Sequence, residues 1–233
     1  RVAVRTYKHP MKGPNGEEMA TDVAFLGNQN AKSVLVVTSG VHGPELFCGS
    51  GAQIDAILDL DITRYGNVAM LMVHAVNPYG AAWLRRTNED NIDINRNFAD
   101  FSKPRPANPG YEELADDFVP RDASEATWKA ADERIKAYGA KHGKPALDIA
   151  ASGGQYTRPD GWFYGGTGPT WSRKTMESIV SDYNLKNRKL VAAIDFHTGA
   201  GPFGYCEPIY SGDPAHPGRD RLQRWIEIGR AHV

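Results

Sequence analysis

Two side chains that can bind a metal ion, His42 and Glu45, stand three positions apart in the segment SGVHGPE at residues 39–45. The segment directly follows an apolar run at residues 34–38. An imidazole and a carboxylate at a strand end that turns into a helix can converge on one ion. Gly40 and Gly43 allow the tight backbone turn that this requires. A single His-x-x-Glu is common by chance, so this segment predicts a metal site only together with other signals.

Basic and amide side chains crowd a second segment, which starts with NPYG at residues 77–80, after another apolar run. Arg85, Arg86 and Asn88 follow, and then the hexapeptide DINRNF at residues 93–98. The planar guanidinium of arginine holds a carboxylate through two parallel hydrogen bonds. The segment therefore predicts either an anion-binding site or, as the plainer alternative, a solvated loop laced with ion pairs.

A third signal is the segment DFHTG at residues 195–199, which ends the last apolar run and contains His197. Alone, this histidine is more typical of a hydrogen-bonded core residue than of a ligand. However, His42, the arginine-amide segment and His197 all follow the carboxyl ends of predicted strands. Ligands of open α/β sheets bind at that edge, so the three segments together predict one site.

The elements that position these residues are three apolar runs, at residues 34–38, 68–76 and 190–196. Nearly continuous apolar runs are typical of strands buried on both faces of a parallel or mixed sheet. Residues 45–60 between the first two runs have apolar side chains at helical spacing, which predicts a strand–helix–strand crossover. A turn signal at residues 14–16 predicts a hairpin between strands at 2–7 and 23–26. The fold class predicted is α/β.

The middle of the chain, residues 104–174, differs in character and is predicted to be a long insertion. It contains one convincing helix at residues 124–141, with Ser124 as N-cap. Residues 153–171 combine five aromatic side chains with six glycines, which predicts an ordered aromatic loop that packs under the insertion or walls a substrate pocket. Because no linker divides the chain, we predict a single domain over residues 1–233.

Composition excludes several other classes of protein. The 27 basic and 28 acidic residues nearly cancel, so the basic footprint of a nucleic-acid or anionic-membrane partner is missing. No apolar run approaches the roughly 20 residues that span a bilayer. Cys48 and Cys206 have no CxxC partners, which argues against a disulfide framework and a cysteine zinc site. A cytoplasmic location is expected, although a chain that begins at Arg1 leaves a removed leader peptide open.

These motifs resemble the zinc carboxypeptidase family, over residues 33–100 and 188–204 and in the family's order. The resemblance implies that His42, Glu45 and His197 bind one Zn²⁺ per chain, and that Asn95 and Arg96 bind the terminal carboxylate of a substrate. It implies a three-layer α/β/α fold with a central mixed, largely parallel sheet. The wording of the motifs is nearest to a branch catalogued as a domain of unknown function.

The same resemblance implies roles for the remaining residues of the arginine-amide segment. Asp93 would orient His42 through its second ring nitrogen. Arg86 would stabilise the oxyanion, with Arg85 as the alternative for this role or for substrate binding. The general base of the family is a glutamate on a strand well downstream of the third ligand, so the chain is predicted to be C-terminally truncated before it. Glu207 is a weak candidate for the base, and Glu227 is expected on a helix surface.

The function implied is a zinc-dependent hydrolase that cleaves an amide or peptide bond next to a free carboxylate, in a small molecule or a peptide. The motifs resemble the succinylglutamate desuccinylase and aspartoacylase group equally well, so an N-acyl-amino-acid deacylase is the first alternative. The second alternative is a non-catalytic metal- or carboxylate-binding module that lacks the base. The oligomeric state stays open, as does a substrate-capping tyrosine, for which Tyr205 and Tyr210 are only nearby candidates.

Overall fold

The computed structural model describes residues 3–199, 202–210, 212–213 and 215–226. The chain divides into two compact units, Arg1–His197 and Thr198–Val233. The strands are β1 (Ala3–Lys12), β2 (Glu18–Leu26), β3 (Ser33–Ser39), β4 (Val68–His74) and β5 (Leu190–Phe196). The helices are α1 (Leu46–Asp59), α2 (Pro78–Ala82), α3 (Ile94–Asn97), α4 (Pro109–Phe118), α5 (Glu125–His142), α6 (Lys144–Ser152), α7 (Trp171–Asp182) and α8 (Gly218–Trp225).

The five strands form one mixed sheet in the order β1-β2-β4-β3-β5. β3 runs parallel to both β4 and β5, and α1 makes the crossover from β3 to β4. β1 and β2 form the predicted N-terminal hairpin, and β2 pairs antiparallel with β4. The predicted α/β class with a central mixed sheet is confirmed.

Both faces of β3 and β4 are buried, as their continuous apolar runs predicted. The same prediction for residues 190–196 is wrong, because β5 lies at the edge of the described sheet and its Val191 and Ile194 side chains are exposed. Side chains that alternate along β3 and β4 divide between two apolar clusters. Val36 and Leu71 pack with Ile179 of α7, whereas Val37 and Met72 pack with Ala56 of α1. One helix therefore covers each face of the sheet, and the predicted three-layer arrangement is confirmed.

A buried glutamine fixes α1 to the sheet. The amide nitrogen of Gln53 donates to the carbonyl oxygens of Val37 (3.0 Å) and Val73 (3.1 Å), and its oxygen accepts from the Ser39 hydroxyl at 2.8 Å. A buried amide is costly unless its donors and acceptors are paired. These three bonds satisfy Gln53 and hold the middle of α1 against the carboxyl-terminal parts of β3 and β4.

Helices α4, α5 and α6 lie within the predicted insertion and share an apolar cluster of their own, which includes Tyr111, Leu114 and Ala150. The predicted helix over 124–141 is confirmed as α5, and the Ser124 side chain accepts the backbone N–H of Thr127 as its N-cap. The stretch that follows α6 is irregular up to α7, with a short bridge between Gln155 and Tyr164.

The three parallel strands end at one edge of the sheet. Ser39, the last residue of β3, pairs with Phe196, the last residue of β5, and β4 ends at His74. The segments that carry His42, the arginines and His197 leave the sheet at this edge.

The second unit contains helix α8 and irregular chain on its amino-terminal side. Glu207 lies in that irregular part and is half-buried. Glu227 lies outside the described residues. Across the part of the chain that the structure describes, no helix has the length and apolar character needed to cross a membrane.

Candidate metal centre

His42, Glu45 and His197 come together at the carboxyl edge of the sheet. Each offers a ligand atom, and these atoms lie within 4.8 Å of one another. Glu45 lies between the two imidazoles, with Oε1 3.0 Å from Nδ1 of His42 and Oε2 2.8 Å from Nδ1 of His197. Two imidazoles and a carboxylate are suitable ligands for a divalent transition metal, so this cluster could bind a metal ion.

The loop after β3 is compact because two glycines permit close approaches. Gly40 adopts a φ of +71°, which an L side chain rarely tolerates. Gly43 packs against the backbone of Gly80 and donates its N–H to the carbonyl oxygen of Arg85 at 3.1 Å. The loops that follow β3 and β4 are thereby joined, which sets His42 and Glu45 beside the arginine-amide segment.

Asp93 lies behind His42. Its Oδ1 is 3.3 Å from Nε2 of His42 and also accepts the backbone N–H of Asn95 at 2.9 Å, which caps the short helix α3. Asp93 is fully buried. A carboxylate on the rear nitrogen of a ligating histidine fixes its ring orientation and tautomer, and the structure places Asp93 where it can do this.

Asp195 lies behind His197 in the same way, a role that sequence analysis did not assign. Its Oδ2 is 2.6 Å from Nε2 of His197, and its Oδ1 accepts the Thr38 hydroxyl at 2.6 Å. The signal was present in the sequence. Because alternate residues of a strand share a face, an aspartate two positions before a histidine at a strand end is placed to contact its ring.

The cluster has strongly displaced pKa values in the metal-free protein. Burial raises the pKa of Glu45, but hydrogen bonds from His197 and His42 outweigh it and lower this pKa to about 2. For Asp93, burial is likewise outweighed by the hydrogen bond with His42 and the charge of Arg86, and its pKa is about 2. Hydrogen bonds to Asp195 and then Glu45 raise the pKa of His197 to about 10.

Metal binding is therefore expected to release protons at neutral and mildly alkaline pH. The raised pKa keeps His197 protonated up to about pH 10, and an imidazolium must lose a proton before it can bind a metal. Calorimetric titration of the metal-free protein with Zn²⁺ at pH 8, in buffers of different ionisation enthalpy, should show about one proton released per ion or more. Asp195→Asn should reduce the number, because it removes the contact that raises the pKa most. Equal proton release by the wild type and by Asp195→Asn would contradict the assignment of Asp195 as the residue that raises the pKa of His197.

The two adjacent arginines have different surroundings. Arg86 Nε donates to Oδ2 of Asp93 at 3.1 Å, and its Nη1 is 3.8 Å from Oε1 of Glu45. The guanidinium of Arg85 turns toward Thr87 and Asn91, at 3.5 Å from each side-chain oxygen. The structure thus brings Arg86, and not Arg85, to the metal-ligand cluster.

Asn95 and Arg96 follow Asp93 on α3. The side chain of Asn95 is exposed, with Nδ2 3.5 Å from Nε2 of His42. Arg96 donates from Nη2 to the carbonyl oxygen of Ser152 at 2.7 Å, and its buried Nε has no hydrogen-bond partner among the described residues. Arg96 is therefore anchored to the last residue of α6, and its Nε–H stays unsatisfied within the described part of the chain.

The predicted aromatic loop, residues 153–171, contacts this segment directly. The carbonyl oxygen of Tyr164 accepts the backbone N–H of Asp93 at 2.8 Å, and the Tyr156 hydroxyl donates to the carbonyl oxygen of Arg96 at 2.8 Å. Buried Gln155 organises the loop by accepting the backbone N–H groups of Thr157 and Arg158. The aromatic loop therefore packs along one side of the arginine-amide segment.

A family model described as "Protein of unknown function (DUF2817)" matches residues 1–233. The comparison with curated proteins found no match.

Several solved structures are similar to parts of the chain. An aspartoacylase family protein from Mesorhizobium loti is 22% identical with a TM-score of 0.30, covering 42% of this chain and 30% of its own. A metallo-carboxypeptidase from Burkholderia cenocepacia is 17% identical with a TM-score of 0.28, covering 59% of this chain and 33% of its own. Bovine thrombin-activatable fibrinolysis inhibitor, solved with tick carboxypeptidase inhibitor, is 11% identical with a TM-score of 0.38, covering 88% of this chain and 59% of its own. The chain thus spans between 30% and 59% of the length of these proteins.

Proposed function

The chain belongs to the DUF2817 family, as its motifs predicted, and we propose that it is a zinc-dependent hydrolase that cleaves an amide or peptide bond next to a free carboxylate. The observation that carries this proposal is the cluster of His42, Glu45 and His197, whose imidazoles are both backed by carboxylates. Catalytic zinc sites use three protein ligands and keep a fourth position open, whereas structural sites use four. Two histidines and one carboxylate are the donor set of the catalytic kind.

The residues around the cluster have distinct tasks in this proposal. A zinc ion bound by the three ligands supplies a Lewis acid that polarises a carbonyl group and makes a water molecule more acidic. Asp93 and Asp195 hold the imidazoles through their Nε2 atoms, which keeps both Nδ1 atoms directed at Glu45. Arg86, close to Glu45, donates to the oxygen on which negative charge develops during attack.

A second positive group serves to hold the substrate. Asn95 and Arg96 lie two and three positions after Asp93 on α3, and they offer an amide and a guanidinium. Charge-assisted hydrogen bonds from a guanidinium are strong and directional toward a carboxylate. We assign the free carboxylate of the substrate to these two residues.

The general base, which accepts a proton from water during attack, must be a group other than the carboxylates that hold the imidazoles. Glu45, Asp93 and Asp195 each contact an imidazole of the cluster, so none of them is left for general-base work. Glu207 stays the candidate from the sequence. It lies in the second unit.

The proposal is tested first by elemental analysis of protein purified without added metal, where about one zinc per chain is expected. The second step is a hydrolysis assay with N-blocked dipeptides, the same dipeptides as C-terminal amides, and N-acyl amino acids. Cleavage of the carboxylates but not the amides is the expected result. Preference for N-acyl amino acids would favour the deacylase alternative, and zinc without turnover would favour the binding module. Absence of zinc uptake would contradict both hydrolases and leave only a module that binds a carboxylate.

Arg96→Ala and Arg86→Ala are expected to affect different kinetic constants. Losing charge-assisted hydrogen bonds to the substrate should raise KM by roughly 10- to 100-fold in Arg96→Ala. Losing an oxyanion donor should lower kcat by about 100- to 1000-fold in Arg86→Ala. Metal content should be unchanged in both.

The matched control is Arg85→Ala, because the Arg85 guanidinium donates, within the described part of the chain, to the side chains of Thr87 and Asn91 at 3.5 Å. Its kinetics should equal those of the wild type. A large loss of kcat in Arg85→Ala with none in Arg86→Ala would reverse the assignment of the two arginines.

A further inference from the structure

We propose that Phe163 is a positioning residue whose ring holds two guanidinium groups in a fixed pair, here called the clamp, in which Arg96 binds the substrate carboxylate and Arg86 stays placed for the oxyanion. This inference rests on the proposed function and adds a residue from the aromatic loop to the site. The sequence predicted that this loop either packs under the insertion or forms a wall of the substrate pocket.

The first observation is that two arginine side chains make cation–π contacts with the Phe163 ring. The guanidinium carbon of Arg86 lies over the Phe163 ring at 4.9 Å from its centroid, and that of Arg96 lies over it at 5.6 Å. Two like charges repel, and the negative face of an aromatic ring attracts both. A guanidinium over a ring also keeps its N–H groups available at its edge for a carboxylate.

The second observation is the backbone of Phe163, whose φ is +52°. Bulky residues rarely adopt this left-handed conformation, and where they do the strain marks a functional constraint more often than elsewhere. Hydrogen bonds on either side hold the conformation. The Phe163 carbonyl oxygen accepts from the Gln155 N–H at 3.2 Å, and the next carbonyl, of Tyr164, accepts from Asp93 at 2.8 Å.

The third observation is that the same loop holds Arg96 at other points. Nη2 of Arg96 donates to the Ser152 carbonyl oxygen, and a methyl group at Gly154 would lie 2.6 Å from its Cδ. Gly154 therefore has to be a glycine for the Arg96 stem to pass. Contacts on the stem, at one end of the guanidinium and beside the ring therefore hold Arg96 in one conformation, with its buried Nε beside Gly154. This is the arrangement expected of a side chain that is pre-organised for an anion.

Without the ring, Arg86 has a competing set of partners. Asp93 Oδ2 already lies 3.1 Å from two of its nitrogen atoms, and Glu45 Oε1 lies 3.8 Å from the third. These carboxylates draw the guanidinium toward the metal ligands. The Phe163 ring offers an opposing attraction toward Arg96, so the separation of the two guanidinium groups depends on it.

The test is a ligand-observed NMR titration of the metal-free protein with N-acetylglycine, a carboxylate, and with N-acetylglycinamide, its neutral counterpart. The wild type and Phe163→Tyr, which keeps a ring, should bind the carboxylate in preference to the amide. Phe163→Leu should bind it roughly 3- to 30-fold more weakly, the range expected for loss of cation–π contacts. Phe163→Asn should show the same loss, and it guards against misfolding because asparagine tolerates a positive φ.

A second phenylalanine provides the matched control. The Phe101 ring also carries two arginines, Arg105 at 4.6 Å and Arg173 at 5.5 Å, and neither of these contacts a metal-ligand residue. Phe101→Leu should leave carboxylate binding unchanged. Loss of binding in Phe101→Leu equal to that in Phe163→Leu would overturn the proposal.

The proposal is also overturned if Phe163→Leu and Phe163→Asn bind N-acetylglycine as tightly as the wild type, or if the wild type does not prefer the carboxylate. These outcomes are separable from failure of the proposed function. Ring-dependent carboxylate binding in a protein that hydrolyses nothing would support the clamp and contradict the hydrolase. Hydrolysis by the wild type, with carboxylate binding unchanged in Phe163→Leu and Phe163→Asn, would support the hydrolase and contradict the clamp.

Discussion

His197→Ala is expected to lose its metal ion and, with it, all measurable hydrolysis. Only His42 and Glu45 would remain as ligands of the cluster, and two ligands do not make a catalytic zinc site. The affinity for Zn²⁺ should fall by well over the 10- to 100-fold typical of losing an outer-shell partner. Elemental analysis of protein purified without added metal, followed by a zinc titration, measures the effect.

Two variants locate the effect at the site. Asp195→Asn keeps the ligand and alters only the group behind it, so it should weaken Zn²⁺ binding by about 10- to 100-fold without abolishing it. His142→Ala removes a histidine of α5 that packs on Tyr138. This variant should retain one full equivalent of zinc per chain. If His197→Ala also retained a full equivalent, the ligand assignment would be wrong.

Strands β3 and β4 could be predicted because strands that are buried on both faces have nearly continuous apolar sequences. Residues 190–196 were predicted as a strand with the bounds that the structure shows for β5, but this strand is largely exposed at the edge of the described sheet, so its expected burial was wrong. Parallel strands share a carboxyl edge, so the sequence alone places His42 and His197 together. This part of the site follows from periodicity and topology.

The details that sequence analysis left open depend on backbone turns and on contacts between distant segments. Whether Arg85 or Arg86 faces the cluster depends on the turn at Leu84, which has a φ of +51°, and adjacent residues in a turn can point in opposite directions. The Phe163 contact joins positions far apart in the chain, and no local pattern encodes it. The role of Asp93 came from the family resemblance, whereas the spacing of Asp195 from His197 was itself a signal in the sequence for the role of Asp195.

Gly43→Ala is expected to have the second large effect, although the change adds a single methyl group. A Cβ at this position would overlap the backbone of Gly80 and the carbonyl oxygen of Arg85. Backbone atoms cannot move aside as a flexible side chain can, so the loop after β3 must shift away from the loop after β4. Overpacking of this kind lowers the free energy of unfolding by about 1–3 kcal/mol. Urea denaturation of the metal-free protein measures that loss.

The same shift should also weaken metal binding, because Gly43 lies between the ligands His42 and Glu45. The control is Gly51→Ala, where an added methyl group meets nothing within 4 Å and the residue lies inside α1. Alanine is the better helix former, so Gly51→Ala should raise the free energy of unfolding by about 0.5–1 kcal/mol and leave Zn²⁺ affinity unchanged. A Gly43→Ala protein with wild-type stability and wild-type Zn²⁺ affinity would show that the two loops do not need this close contact. Loss of both, beside an unaffected Gly51→Ala, would show that the joined loops are what bring His42 and Glu45 to the position of ligands.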